Sequence, residues 1–528
     1  MIYRSPYPEV QIPEVPLTEY VLRRAASLGD KPALIDGQSG RAVTYAQLPE
    51  LVARVSVALR LRGFEKGDVL AVFSPNTPEY ALAFHGAASA GGVVTTINPL
   101  YTAEEVASQL RDARAKYLLT APQLLERARE AARDTSVEEI FVFGDEQEGA
   151  TAFASLVESG TGASLPPVEI NPREDLVALP YSSGTTGTAK GVMLTHHNLV
   201  SNLCQFKGAG LDWSDDTLIC VLPMFHIYGL VAILNFGLSS GSTIVTLPRF
   251  DLEQVLGVIQ NYKVTIAHLV PPVVLALAKH PVVERYDLSS LKTVFSGAAP
   301  LGAQLSEECC ARLGCKVMQG YGMTETSPVT HLSQQGGDKH GSVGLCVSNT
   351  ECKVVSLETG AQLGPGEEGE LCIRGPQVMK GYLNRPDATA ATIDADGWLH
   401  TGDIGYADDE CNFYIVDRAK ELIKYKGFQV APAELESLLL AHPSVADAAV
   451  VPSPDAEAGE VPKAFVVARG DGALPAPEEL MSYVAARVAP HKKIRRVEFV
   501  EQIPKSPSGK ILRRLLVARE REQQAGKN

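Results

Sequence analysis

The sequence predicts an α/β fold: two layered α/β units, a small β unit and, beyond Asp417-Arg418, a compact charged α/β piece. Three observations predict it. Short apolar runs of strand length alternate with segments of helical period, first up to Phe143 and again from about Asp175. Four of the later runs end in polar or glycine-rich loops, and parallel α/β sheets bind ligands at the carboxyl ends of their strands. From Gly341 to Tyr414 the texture changes to short strands and turns such as Leu363-Gly364-Pro365-Gly366. A chain of 528 residues also exceeds one domain; length alone predicts roughly three to four.

Each element follows from local pattern. A helix begins near Leu17, and Asp36-Gly37 with Ser39-Gly40 marks a hairpin. Leu48, Leu51, Val52, Val55 and Leu59 keep helical spacing, with Gly63 at the stop. Residues 69–73 and 93–97 read as buried strands around a nearly all-apolar helix at 81–90. Residues 144–172 are polar and contain Gly and Pro, which predicts a surface connection. The second unit follows, with strands at 218–223, 264–270, 293–295 and 316–318, and Asp251 capping a helix. Glu370-Leu371-Cys372-Ile373-Arg374 alternates with period two. The C-terminal piece should contain a helix at 432–440, strands at 446–451 and 463–467, and a cationic loop, Lys505-Ser506-Pro507-Ser508-Gly509-Lys510, before a last helix.

Composition narrows the function. A net charge of −14 excludes a general nucleic-acid binder, which needs a basic surface. No uncharged apolar run approaches the twenty residues of a membrane span, and prolines interrupt the N-terminal stretch where a secretory signal has its apolar core. Nine cysteines without a C-x-x-C pair read as reduced thiols, and the expected compartment is the cytoplasm.

The chemistry centres on Tyr181 to Val192, YSSGTTGTAKGV. Hydroxyls, glycines that admit close backbone approach and one lysine all suit phosphate oxygens. It is not a Walker loop, because Ala189 precedes Lys190 and Gly191 stands where a magnesium-binding Ser or Thr is required. Downstream lie LPMFHIYGL, SGAAPLG, QGYGMTETSPV, GELCIRG, GWLHTGDIG, DRAKELIKYKGFQVAPAELE and PKSPSGKILRR.

Together these eight motifs, in this order, resemble the adenylate-forming superfamily of acyl-CoA synthetases, most closely the 4-coumarate–CoA ligase group, from about Leu17 to Arg514. The resemblance implies an acid–thiol ligase using ATP, Mg²⁺ and CoA as cosubstrate. It implies an adenylation domain over residues 1–417 and a small mobile C-terminal domain over 418–528, with the hinge at Lys420. By the same resemblance, Ser182, Ser183, Gly184, Thr185, Thr186, Gly187 and Lys190 hold phosphates, and Thr186 enters the catalytic set. Thr324 contacts phosphate and Glu325 associates with magnesium. Gln319, Gly320 and Tyr321 surround adenine, Asp403 takes the ribose hydroxyls, and Arg418 meets the same region. Lys510 reaches the carboxylate and α-phosphate, and Lys424 and Gln429 face the adenylate in the second pose. Arg249, Lys426, Gly427 and Phe428 line the CoA path, Arg249 standing where relatives carry lysine. Ala189 replaces a proline common in relatives, and loss of its fixed φ should loosen the loop modestly.

His226 matches the residue beside the acyl site, where positioning suits it better than general base catalysis because a substrate carboxylate is already ionised at neutral pH. The acyl pocket implied is His226, Tyr228, Ala232, Phe295, Ala298, Gly320, Pro328 and Val329. Small residues at Ala298 and Gly320 leave a flat slot, and Tyr228 offers a phenol to a ring hydroxyl. A planar aryl-propenoic acid such as 4-coumarate, cinnamate or caffeate is expected. A medium-chain fatty acid is the alternative, since one methylene gives only about 1–3 kcal/mol of discrimination. A luciferase-like adenylating oxygenase shares the motifs and stands behind both.

Overall fold

The protein is described from a computed structural model that covers residues 1–182, 189–334, 339–426, 428–455, 457–469, 476–506 and 509–525. Two nine-stranded sheets make up its body. In the first, Val69–Phe73, Val93–Ile97, Ala115–Thr120 and Glu139–Val142 run parallel. In the second, Thr217–Cys220, Thr243–Thr246, Ile266–Leu269, Thr293–Ser296 and Lys316–Gly322 run parallel. Both sheets are covered by helices, so their inner strands carry apolar residues on both faces; all five residues of Val69–Phe73 are buried.

The helices form where the pattern placed them, and their ends are closed locally. Pro78–Ser89 starts at Thr77, whose hydroxyl accepts from the Glu79 N–H, and Pro78 occupies a position that needs no donor. It packs on Leu48–Leu61 so closely that a Cβ at Gly86 would lie 2.3 Å from Val55 Cγ1. Only glycine fits there. Asp251 caps Leu252–Tyr262 by accepting from the Gln254 N–H, as expected. Among the described residues no helix is long and apolar enough to cross a membrane, and no disulfide is formed.

The structure differs from these expectations in four places. Leu176–Ala178 does not open the second sheet. It lies beside Val93–Ile97 and, with Tyr181–Ser182 and Lys190–Thr195, extends the first. The hairpin Pro32–Asp36 with Ala42–Thr44 instead completes the second sheet, against Thr243–Thr246. Periodicity identifies a strand and not its neighbour, which only tertiary packing decides. The stretch 144–172 is not wholly a connection either: Thr151–Ala152 adds a strand, and Phe153–Ser159 is a short helix that buries Phe153 and Leu156. The QGYG segment lies within the strand Lys316–Gly322 rather than in a loop beyond it.

Ile2–Arg4, Glu351–Val355, Gly369–Arg374, Leu399–Ala407 and Phe413–Arg418 form a five-stranded antiparallel sheet. A second five-stranded sheet spans Ile423–Tyr425 to Arg496–Phe499 and has a core of its own around Leu435, Val450, Val466 and Leu480. The last helix, Arg513–Ala525, is tied to this unit through Arg513. Its guanidinium lies 2.7 Å from Glu436 and 3.2 Å from Glu421. Glu436 is only 7% exposed, and burial pushes its carboxyl up to about 7 against the pull of Arg513. Removing one partner of such a pair strands the other. Arg513→Met should lower the stability of this unit by about 3–5 kcal/mol, read as a shift of its urea midpoint, whereas the double change Arg513→Met with Glu436→Leu should recover much of it.

Candidate active site

Three corners of one site are built by elements far apart in sequence. The first lies on the antiparallel sheet. Asp403 and Arg418 are register partners on adjacent strands, with Arg418 Nε 3.4 Å from Asp403 Oδ1. The Tyr321 hydroxyl donates to Asp403 Oδ2 at 2.7 Å, and the Asp403 N–H donates to Thr401 Oγ1 at 3.1 Å. Burial raises the Asp403 pKa, and Arg418, Tyr321 and Lys510 oppose it. Tyr321 itself is held well above the ordinary phenol value, by burial first and then by Asp403. It acts as a neutral donor that fixes the carboxylate.

The second corner holds Glu325, which is 4% exposed and sits in the short helical turn Thr324–Thr326. The Tyr382 hydroxyl donates to Glu325 Oε1 at 2.8 Å, and the Met379 N–H donates to its carbonyl. Lys190 Nζ lies 4.4 Å from the centre of the Tyr382 ring, within cation–π reach. Tyr382 therefore links the lysine of the hydroxyl-rich loop to Glu325. Sequence reasoning missed it, although Gly381-Tyr382 pairs directly with Val192-Met193 next to that lysine.

Lys510 makes the third corner. Its loop closes on itself: the Ser506 N–H donates to the Lys510 carbonyl at 2.8 Å, and the Lys510 N–H donates to Ser506 Oγ at 3.1 Å. Gly509 at φ +77° turns it, and a Cβ there would lie 2.8 Å from Val270 Cγ2, so the loop is pressed against the end of the second sheet. Burial lowers the Lys510 pKa, Arg418 lowers it further, and Asp403 and Glu325 pull it back up. Two cations and two carboxylates thus face one another, and burial leaves the Lys510 charge under-solvated.

His226 lies close enough to feel that charge. Burial, and then Lys510, depress its pKa to about 3, so the ring is neutral. Its Nδ1 accepts from the Tyr228 N–H at 3.3 Å, which leaves Nε2 as the donor. The preceding loop is clamped by Asn76, which accepts from the Met224 N–H and donates to the Leu222 carbonyl. Asn76 is a second residue the motifs did not reveal.

Beyond His226, the π-helical turn Tyr228–Asn235, which carries Ala232, faces one side of the second sheet. Phe295 and Gly320 line that face, and Ala298 follows at φ +70°. A Cβ on Gly297 would lie 2.8 Å from the Tyr228 ring, so this glycine lets the ring lie flat on the sheet. Pro328, after a cis bond, and Val329 close the far side, where Asn202 bonds both the N–H and the carbonyl of Val329.

The remaining expected residues lie as follows. Gln319 is buried and donates to the Leu301 carbonyl at 3.2 Å. Lys424, Lys426, Phe428 and Gln429 lie exposed on or beside the hairpin Ile423–Tyr425 with Phe428–Val430, where Phe428 stacks on His491. Arg249 and Lys420 are also exposed. Ser182 pairs with Lys190, but Ser183, Gly184, Thr185, Thr186, Gly187 and Gly427 lie outside the described residues.

The AMP-binding enzyme model matches residues 21–383, and the AMP-binding enzyme C-terminal domain matches 434–510. The chain belongs to the AMP-binding enzyme family. It is 48% identical over 530 aligned positions to 4-coumarate–CoA ligase 1 of Petroselinum crispum, covering 98% of this chain and 97% of that one. A 4-coumarate–CoA ligase of Vanilla planifolia is 47% identical at 98% and 96% coverage. Among solved structures, an anthranilate CoA ligase in complex with anthranoyl-AMP superposes with a TM-score of 0.90 at 26% identity, over 98% of this chain and 99% of that one. ATP-bound MatB of Rhodopseudomonas palustris gives 0.84 at 30% identity, over 94% and 98%.

The histidines of this AMP-binding enzyme predict a pH response. His268, at the back of the slot, and His85 are held near pKa 3 by burial, and His196 near 4. Each stays neutral in the fold but protonates near 6.5 once unfolded, so its contribution is whole above that pH and drains away as pH falls towards 4. Between about pH 7.5 and 5.5 each should cost up to about 1.4 kcal/mol, read as a falling urea midpoint, and His85→Phe should remove its share of the fall.

Proposed function

We propose that the protein is an ATP-dependent acid–CoA ligase acting on a planar aryl acid of the 4-coumarate type. The observation that carries the reading is Lys510, brought by the C-terminal unit to a place where its charge meets Asp403, Arg418, Glu325 and His226 together. In the first step a carboxylate oxygen attacks the α-phosphorus of ATP, the bond to the β-phosphate oxygen breaks, and pyrophosphate leaves. Lys510 faces the negative charge that builds where the two anions meet, and Arg418 reinforces it. Groups preorganised in this way supply the largest share of such catalysis. Asp403, fixed by Tyr321, accepts from the two ribose hydroxyls, and the Tyr321 ring and Gln319–Gly320 backbone flank the base. Ser182 to Gly187, Lys190 and Thr324 take the phosphates.

Glu325 suits Mg²⁺, since a buried carboxylate oriented by the Tyr382 hydroxyl presents hard oxygen to a hard cation. When bound, the ion would neutralise triphosphate charge beside Lys190. His226 is a poor general base, because its Nδ1 lone pair already accepts from the Tyr228 N–H and its proton affinity is depressed; its Nε2–H is a donor that orients the acid.

In the second step the CoA sulfur attacks the acyl carbon, the bond to the phosphate oxygen breaks, and AMP leaves. Lys424, Lys426, Gly427, Phe428 and Gln429 belong to this step. Lys424, Lys426, Phe428 and Gln429 stand exposed, and Lys420, two residues past Phe413–Arg418, would act as hinge between residues 1–417 and 418–528. Arg249 would add charge to the CoA path.

The slot between Tyr228 and the Phe295–Gly320 face favours a flat ring over a flexible chain. With Mg-ATP and a panel of acids, 4-coumarate should give both pyrophosphate and a CoA thioester, at a kcat/KM at least about tenfold above octanoate, the spread that one or two lost ring contacts produce. A preference for octanoate would overturn the aryl assignment. Pyrophosphate without thioester at saturating CoA would overturn the second step.

A further inference from the structure

His268 stands in register with Phe295 on the face of the second sheet that lines the acyl slot. Its ring stacks on Phe295 at 5.0 Å and 10°, and the Trp213 ring meets it edge-on at 5.1 Å. It is 2% exposed, and its Nδ1 lies 3.1 Å from the Tyr228 hydroxyl. Among the described residues its Nε2 has no hydrogen-bond partner. Tyr228, by contrast, is only partly buried, although its neighbours along the π-helical turn are buried.

One proton lies between these two groups, and its place decides what the slot can read. The phenol is the stronger acid of the pair and the neutral imidazole the stronger base, so the hydroxyl donates and Nδ1 accepts. The depressed proton affinity of His268, caused by burial, keeps the ring neutral and Nδ1 available as an acceptor. A tyrosine whose only proton is committed to His268 has nothing but lone pairs left for a ligand. We propose that His268 is a positioning residue that fixes the Tyr228 hydroxyl as an acceptor, so that the slot selects aryl acids bearing a hydrogen-bond donor, a free hydroxyl or an amine, at the far end of the ring. The inference rests on the aryl-acid reading above. It adds a direction: a methoxy or carbonyl group at that position meets lone pair against lone pair and is rejected, and a bare ring leaves the acceptor unpaired.

The test compares kcat/KM for 4-coumarate, 4-aminocinnamate, cinnamate and 4-methoxycinnamate in the wild type, His268→Phe and His268→Asn. The wild type should favour the two donors over cinnamate by about tenfold or more, the usual worth of a satisfied buried hydrogen bond. His268→Phe keeps the stack on Phe295 but removes Nδ1. It should bring 4-methoxycinnamate within about threefold of 4-coumarate, because the freed Tyr228 hydroxyl can then donate as well as accept. His268→Leu should give the same change if the larger ring unsettles the fold. His268→Asn, whose Oδ1 takes the place of Nδ1, should restore the preference. A merely structural histidine would change all four acids alike. Unchanged ratios in His268→Phe, or a wild-type preference for the methoxy acid, overturn the proposal while the aryl-acid reading stands. Failure of the wild type to turn over any of the four overturns both.

Discussion

The arrangement depends on one electrostatic constraint: Lys510 must be held, partly stripped of water, between Arg418 and two carboxylates. A lysine in that setting binds its proton less tightly than usual, because burial and Arg418 outweigh Asp403 and Glu325. The cluster is balanced for an incoming anion, and much of the surrounding structure serves that balance. Tyr321 fixes Asp403, the strand pairing fixes Arg418 opposite it, and Tyr382 fixes Glu325. The loop that carries Lys510 is closed by its own Ser506 bonds and seated on Val270 through a glycine that cannot be replaced without a clash.

The same constraint accounts for the division of the chain. A lysine that belongs to one step of a two-step reaction has to come and go, and here it rides on a unit with its own core, stapled to its last helix by Arg513. The groups assigned to the second step sit on an exposed hairpin of that unit. On the function proposed above, a lysine and a hairpin on one piece, connected to the body after Arg418, would alternate at one site by a movement of that piece as a whole.

Much of this was legible in the sequence, because the residues that do chemistry sit at strand ends and in loops whose composition is unusual. Asp403, Arg418, Glu325 and Lys510 were all named from motifs, and the structure brings them together. Sheet membership was not legible: Leu176–Ala178 and the hairpin at 32–44 cross between sheets, since an apolar run carries no label for its neighbour. Nor were Asn76, Tyr382 and His268. Each is a polar group inside an otherwise apolar or turn-forming segment, and each acts by holding another residue. Pattern reasoning marks such residues as core, and only the hydrogen-bond partners reveal the role. Phe295, named from the motifs as part of the acyl pocket, is also the surface on which His268 stacks.

The most direct test of the account separates the two steps in a Lys510→Ala variant. Adenylation would be followed as pyrophosphate release from 4-coumarate and Mg-ATP. Thioester formation would be followed with synthetic coumaroyl-AMP and CoA. If Lys510 serves only where two anions meet, adenylation should fall by about 10² or more, the effect of removing one preorganised charge, while thioester formation from the supplied adenylate stays within about threefold of wild type. An equal loss in both steps would contradict the account, because Lys510 would then be holding the site together rather than opposing charge in one of its reactions.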